Sequence, residues 1–242
     1  VTECKDAGND RVKVEGIGNY KDEYSKSFTI LPRDLQEDGT NNVDYRYAIK
    51  DIADQTFTGT AIIPEELEVF EYTANNDGED GATDFEKDKI VLEKELEYTV
   101  TGEYNLNATS NQGDQKAVLT IEGTGNFKGT LTVEFTILPK NIEDITTAGD
   151  GSEIYDVLLG DLEIPYNGQK QTPDLPYVYN EITLVQGTDY SVDYEIETAG
   201  EEDGTTEKIA TNEDVGPAYG TITGIGNYTG SRTFDAEHPI FT

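Results

Sequence analysis

Apolar and polar residues alternate with a period of two through several stretches of the chain. Leu131, Val133, Phe135 and Ile137 alternate with Thr132, Glu134 and Thr136. Leu119 and Ile121 do the same, as do Val12 and Val14. A period of two buries one face of a strand and leaves the other to solvent. Segments of the form Gly-x-Gly-Asn-aromatic join successive runs, and Gly with Asn supplies the positive-φ positions that a tight hairpin needs. Helical periodicity is weak, and Glu65–Phe70 predicts one turn at most. The pattern predicts an all-β chain of short strands separated by Gly, Asn, Asp and Pro clusters.

The alternating runs recur. Val12-Lys-Val-Glu-Gly-Ile-Gly-Asn-Tyr20, Leu119-Thr-Ile-Glu-Gly-Thr-Gly-Asn-Phe127 and Gly220-Thr-Ile-Thr-Gly-Ile-Gly-Asn-Tyr228 align, with leading glycines Gly16, Gly123 and Gly224 spaced by 107 and 101 residues. Each is followed by a second run: Ser27–Pro32, Glu134–Pro139 and the weaker Thr233–Ala236. Upstream, Thr56-Phe-Thr-Gly-Thr-Ala-Ile-Ile-Pro64 matches Pro165-Tyr-Asn-Gly-Gln-Lys-Gln-Thr-Pro173, and Glu97-Tyr-Thr-Val100 matches Asp189-Tyr-Ser-Val192. One unit is therefore read as an aromatic-x-Gly...Pro strand, a Tyr-Thr/Ser-Val strand and a Gly-x-Gly-Asn-aromatic hairpin. Units of about 100 residues with frequent turn signals predict tandem immunoglobulin-like β-sandwich domains. Leu31-Pro32 and Leu138-Pro139 mark the boundaries, giving repeats at 33–139 and 140–242. Residues 1–32 read as the C-terminal part of an incomplete repeat, because Val1-Thr2 aligns with Val100-Thr101. About 30 residues do not close a sandwich core alone. The expectation is that the rest lies upstream or comes from another chain by strand complementation.

Composition narrows the chemistry. Among 242 residues there are 50 acidic against 17 Lys+Arg, for a formal net charge of -33, which argues against nucleic acid and anionic membrane surfaces as partners. A single Cys (Cys4) excludes an intrachain disulfide, and a single His (His238) argues against a His-rich metal site or a Ser-His-Asp triad. No apolar run approaches the length of a membrane span. The acidity is local: residues 65–97 hold 13 acids and 195–214 hold 8, whereas 215–234 holds none. Both acidic segments fall between the repeated signatures, where they favour solubility and discourage edge-to-edge pairing of neighbouring sandwiches.

Tyr166-Asn-Gly-Gln-Lys-Gln-Thr-Pro173, Gly187-Thr-Asp-Tyr-Ser-Val192 and Gly224-Ile-Gly-Asn-Tyr-Thr-Gly230 carry a resemblance to Ig-like tandem repeats of Gram-positive (clostridial-type) bacterial surface proteins. The likeness is close over 164–234 and looser over 51–139, where Glu95-Leu-Glu97 replaces Gly-Thr-Asp. It implies stalk, spacer or adhesin modules, extracellular or at the cell surface, with no catalytic residues to transfer. Neighbouring domains of the same chain are the implied contacts, together with a host or cell-wall glycan or protein, or an identical subunit. A virion decoration or fibre protein, and a filament subunit built by strand complementation, are the alternatives.

Candidate sites are sparse. Gly224–Gly230 departs from a dinucleotide fingerprint, since its third Gly is one residue too far and a strand follows. Asp77, Glu79, Asp80 and Asp84 form an acidic cluster whose hard oxygens suit Ca²⁺, with a second cluster at Glu201, Glu202 and Asp203. The spacing fails the EF-hand pattern, so a solvated loop without cofactor is the expected state. Tyr177, Tyr179, Tyr190 and Tyr194 are the candidates for stacking on a carbohydrate, against the expectation that strand tyrosines pack between sheets. Lys13, between Val12 and Val14, falls on the polar phase of its strand, which argues against an isopeptide cross-link there. Fifty acids guarantee accidental carboxylate pairs, and no enzymatic constellation emerges.

Overall fold

The computed structural model describes residues 5–36, 45–73, 89–145, 164–173, 175, 177–198, 207–209, 218–234 and 240. These residues form strands, with two single-turn 3₁₀ segments at Thr109–Gln112 and Ile142–Asp144. The chain is all-β, as its alternation predicts. The first half contributes β1 (Gly8–Glu15), β2 (Glu23–Ile30), β3 (Arg33–Asp34), β4 (Tyr45–Ile49), β5 (Gln55–Thr56), β6 (Val69–Thr73), β7 (Ile90–Val91), β8 (Tyr98–Glu103) and β9 (Ala117–Gly123). Next come β10 (Phe127–Lys128), β11 (Thr130–Phe135), β12 (Ile137–Leu138) and β13 (Lys140–Asn141). The remainder are β14 (Val178–Tyr179), β15 (Ile182–Thr183), β16 (Tyr190–Thr198), β17 (Glu207–Ile209), β18 (Tyr219–Gly224), β19 (Tyr228–Thr229) and β20 (Ser231–Phe234).

Two compact units emerge: Val1–Ala53 with Ile63–Glu103 and Val118–Phe135, and Asp54–Ile62 with Tyr104–Ala117 and Thr136–Thr242. The first unit holds two three-stranded sheets, β4-β6-β7 and β8-β9-β11, and the separate hairpin β1-β2. Its buried residues are Tyr47, Val69, Phe70 and Leu92 in and beside the first sheet, and Tyr98, Leu119, Ile121 and Phe135 in the second. Of the alternating run, Phe135 and Ile137 are buried, while Leu131 and Val133 are only half-buried. A buried charge sits among them. Glu71 accepts hydrogen bonds from the Tyr47 hydroxyl at 2.9 Å and from Arg33 Nη1 at 2.5 Å. Burial opposes the Arg33 charge, but those two partners hold its pKa above the ordinary arginine value.

The second unit is built on the four-stranded sheet β17-β16-β18-β20. Its core includes Phe57, Tyr177, Tyr190, Ile222, Tyr228 and Phe234. Arg232 is buried there and donates to the carbonyls of Glu143 at 2.7 Å and Ile145 at 3.2 Å, and to the Tyr177 hydroxyl at 3.3 Å. Short parallel pairs, β12 with β5 and β13 with β19, close its margins.

One local expectation changes. Of the stretch Thr56–Pro64 only Gln55–Thr56 is strand, because Gly59 takes φ +85° and turns the chain, while 165–173 bends at Gly168, φ +71°. Glu65–Phe70 stays within the single turn that its weak periodicity allows: Leu67 N–H closes a turn on Pro64 O, and Val69 and Phe70 enter β6 with both side chains buried.

Burial leaves a mark on titration. Desolvation pushes Tyr47, Tyr194 and Tyr228 up to about 12. A phenol whose folded pKa lies above its unfolded value of about 10 contributes stability that is complete below pH 10 and is lost as pH rises toward 12. Alkaline unfolding followed by circular dichroism should therefore fall in that interval and coincide with late tyrosinate absorbance. Titration of all tyrosines as one population with a midpoint near the ordinary value of about 10 in a still-folded chain would contradict it.

Candidate functional site

The most specific geometry in the molecule is the turn written Gly-x-Gly-Asn-aromatic-x-Gly. It is closed three times by one hydrogen bond: Gly16 N–H to Asp22 O at 3.0 Å, Gly123 N–H to Gly129 O at 3.0 Å, and Gly224 N–H to Gly230 O at 2.9 Å. The middle glycines Gly18, Gly125 and Gly226 have φ of +70°, +61° and +66°, and the closing positions Asp22, Gly129 and Gly230 have φ of +81°, +82° and +75°. The first glycine is required by close approach, since a Cβ on Gly123 would lie 2.7 Å from Lys128 N, and one on Gly224 would lie 2.6 Å from Thr229 N. The Asn residues do not take positive φ, contrary to the sequence expectation; the side chains of Asn126 and Asn227 act instead.

In the first unit the Asn126 amide reaches across 119 residues of sequence. Its Oδ1 accepts from Ala7 N–H at 2.5 Å and its Nδ2 donates to Asp6 Oδ1 at 3.0 Å. In the second unit Asn227 repeats the arrangement, with Oδ1 accepting from Ala108 N–H at 2.8 Å and Nδ2 donating to Asn107 Oδ1 at 3.0 Å. Asn111 Nδ2 adds a third bond to the Asn227 oxygen at 3.0 Å. Both turns also receive a strand from earlier in the chain: Arg33 N–H bonds Asn126 O and Lys140 N–H bonds Asn227 O, each at 2.9 Å, as β3 and β13 pair in parallel with β10 and β19. Asp34 and Asn141 then occupy the space over Gly129 and Gly230, where any Cβ would collide with their side-chain oxygens. The backbone N–H of Gln36 and then Lys128 hold the Asp34 carboxyl below its ordinary value.

Asn227→Ala should cost about 1–2 kcal/mol, because it strips the Ala108 N–H and the Asn107 amide of a partner. Asn19→Ala, in an exposed turn, should change stability by less than about 0.5 kcal/mol. Urea denaturation of both variants checks the contrast; equal effects would refute the role of the amide.

A cleft of about 270 Å³ beside Asn126 is lined by Ala7, Leu31, Arg33, Glu97 and Phe127, among others. It falls below the ~300–1,000 Å³ of ordinary small-molecule sites, and belongs to the docking turn.

Of the carbohydrate candidates, Tyr177 and Tyr190 lie in the core, and Tyr179 and Tyr194 are half-buried. Tyr177 and Tyr190 are fully buried and lie 5.8 Å apart. Tyr179 stands edge-on to Tyr228 at 6.3 Å, carries Lys140 Nζ over its ring at 5.6 Å and donates its hydroxyl to Phe57 O at 3.2 Å. The Tyr194 hydroxyl is buried. Asp77, Glu79, Asp80 and Asp84 lie outside the described residues, as do Glu201–Asp203, Cys4 and His238. Among the described residues no cluster of three His, Cys, Asp or Glu side chains stands in metal-holding geometry. Lys13 is solvent-facing and bridges Glu15 at 2.7 Å and Glu23 at 2.8 Å. No helix among the described residues is long and apolar enough to cross a membrane.

The fold and its sites define an all-β protein with repeated turn junctions. No family model, no curated protein and no solved structure matches the chain.

Proposed function

We propose that the chain is an array of tandem Ig-like β-sandwich repeats, serving as a non-enzymatic stalk, spacer or adhesive segment of a larger secreted or surface-displayed bacterial protein. The observation that carries this reading is the junction: the same turn, 101 residues apart, clasps an Asp-Ala or Asn-Ala segment of the preceding copy through an asparagine amide. A structural array needs such recurrent, backbone-directed contacts, because they tie each turn to an earlier segment of the chain while surface loops vary freely. The all-β architecture and the resemblance to Gram-positive surface repeats support it, and the buried tyrosines favour packing over sugar binding. Pulling the full chain between its termini tests it. Two unfolding events are expected, each releasing roughly 330–360 Å of contour for about 100 residues. A single event, or extension without resistance, would refute an array of separate repeats.

A further inference from the structure

We infer that the hairpin β1–β2 is the receiving half of a sandwich whose occupant is the remaining part of a repeat of this same kind, entering through a Tyr-Thr/Ser-Val strand antiparallel to β1. The inference rests on the array reading and specifies what covers one surface of it. The hairpin has the register of its counterpart: Glu15 pairs with Glu23 before a turn closed from Gly16 to Asp22, as Thr223 pairs with Ser231 before a turn closed from Gly224 to Gly230.

Its surroundings differ. The two counterparts of β1 are central strands. β9 takes β8 on its second edge, with Tyr98 opposite Gly123 and Val100 opposite Ile121. β18 takes β16, with Tyr190 opposite Gly224 and Val192 opposite Ile222. Among the described residues β1 pairs with β2 alone.

The faces tell the same story. Val12 and Val14 are 46% and 58% exposed, whereas Leu119 and Ile121 at the equivalent positions are 0% exposed. Phe28 is 37% exposed where Phe135 is 2% exposed. Val14 stands opposite Tyr24, Val12 opposite Lys26 and Asp10 opposite Phe28, so Val12, Val14, Tyr24 and Phe28 share one face, with Asp10 and Lys26 among them. Lys13, Glu15 and Glu23 occupy the other face and bridge one another in solvent. Among the described residues, this face and the second edge of β1 lack what β8 and the sheet β4-β6-β7 provide to β9 and β11. Internal pairing fixes the register of the occupant: its Tyr opposite Gly16 and its Val opposite Val14. Backbone hydrogen bonds would then provide affinity, and the alternate side chains specificity.

The test extends the 242-residue chain with a second copy of residues 33–99 placed before Val1, so that Val1 takes the place of Val100. Amide exchange of β1 should slow on the order of 100-fold, and Val14→Asp should lower the melting temperature of the extended chain while leaving the original chain unchanged. Equal β1 exchange in both chains, with Val14→Asp silent in both, would overturn the inference. Should the extension not fold, the peptide Glu97–Glu103 added at about 5 mM to the original chain should shift β1 amide resonances. The same peptide with Pro for Val100 should not; no shift, or the same shift with both, overturns the inference too. Two unfolding events under force alongside an unprotected β1 would leave the array standing and remove only the occupant.

Discussion

Ile121→Ala is expected to destabilise the first compact unit by about 3 kcal/mol, whereas Val14→Ala should register less than about 0.5 kcal/mol. The two residues hold the same place before the same turn, two residues ahead of Gly123 and Gly16. Ile121 is wholly enclosed, with Leu119 beside it on the buried face of β9 and Phe135 on β11. Truncation there removes three carbons of transfer free energy and leaves a cavity that β-sheet neighbours cannot fully collapse. Val14 is more than half exposed, so truncation removes methyl groups already in water. The measurement is chemical denaturation resolved by unit, since two compact units do not guarantee a single transition. Equal losses at both positions would mean that the hairpin is covered in the chain as it stands.

Arg232→Met is the second large effect, about 3 kcal/mol, confined to the second unit. The guanidinium is buried and donates to three acceptors: the carbonyls of Glu143 and Ile145, and the Tyr177 hydroxyl. A Met of similar length fills the space, yet it leaves the buried Ile145 carbonyl and the part-buried Glu143 carbonyl without their donor, at roughly 1–3 kcal/mol for each unsatisfied group. Arg232→Lys should recover only part of the loss, because an ammonium on a flexible stem does not reproduce the planar fork. Thermal melting of the three proteins side by side decides it. A Met variant as stable as the parent would show that the arginine fills volume and nothing else.

Strand positions were legible because a strand's periodicity is local. Leu119, Ile121, Phe135 and Ile137 show their inward phase in the alternation itself. The turn was legible for the same reason, since Gly125, Gly129, Gly226 and Gly230 sit where L-residues pay a steric cost. Asn126 and Asn227 were read as backbone residues and proved to be side-chain clasps; a partner 119 residues away leaves no trace in a window of ten. Spacing held a usable signal all the same, because Asp6-Ala7 and Asn107-Ala108 recur at the 101-residue period of the two asparagines. Buried Glu71 and Arg232 were not foreseen, since a charge on a strand reads as its solvent phase until its partners are known.

The all-β class, the three occurrences of the turn and the concentration of acid between them can be read from the residues alone, because each depends on local sterics or on counting. Which alternating faces are covered is visible only in the folded chain. Val12, Val14 and Phe28 follow the same pattern as Leu119, Ile121 and Phe135, yet one set meets solvent and the other meets a second sheet. Alternation states which side of a strand is apolar; burial depends on whether another layer is there to exclude water, and that is a property of the assembled chain.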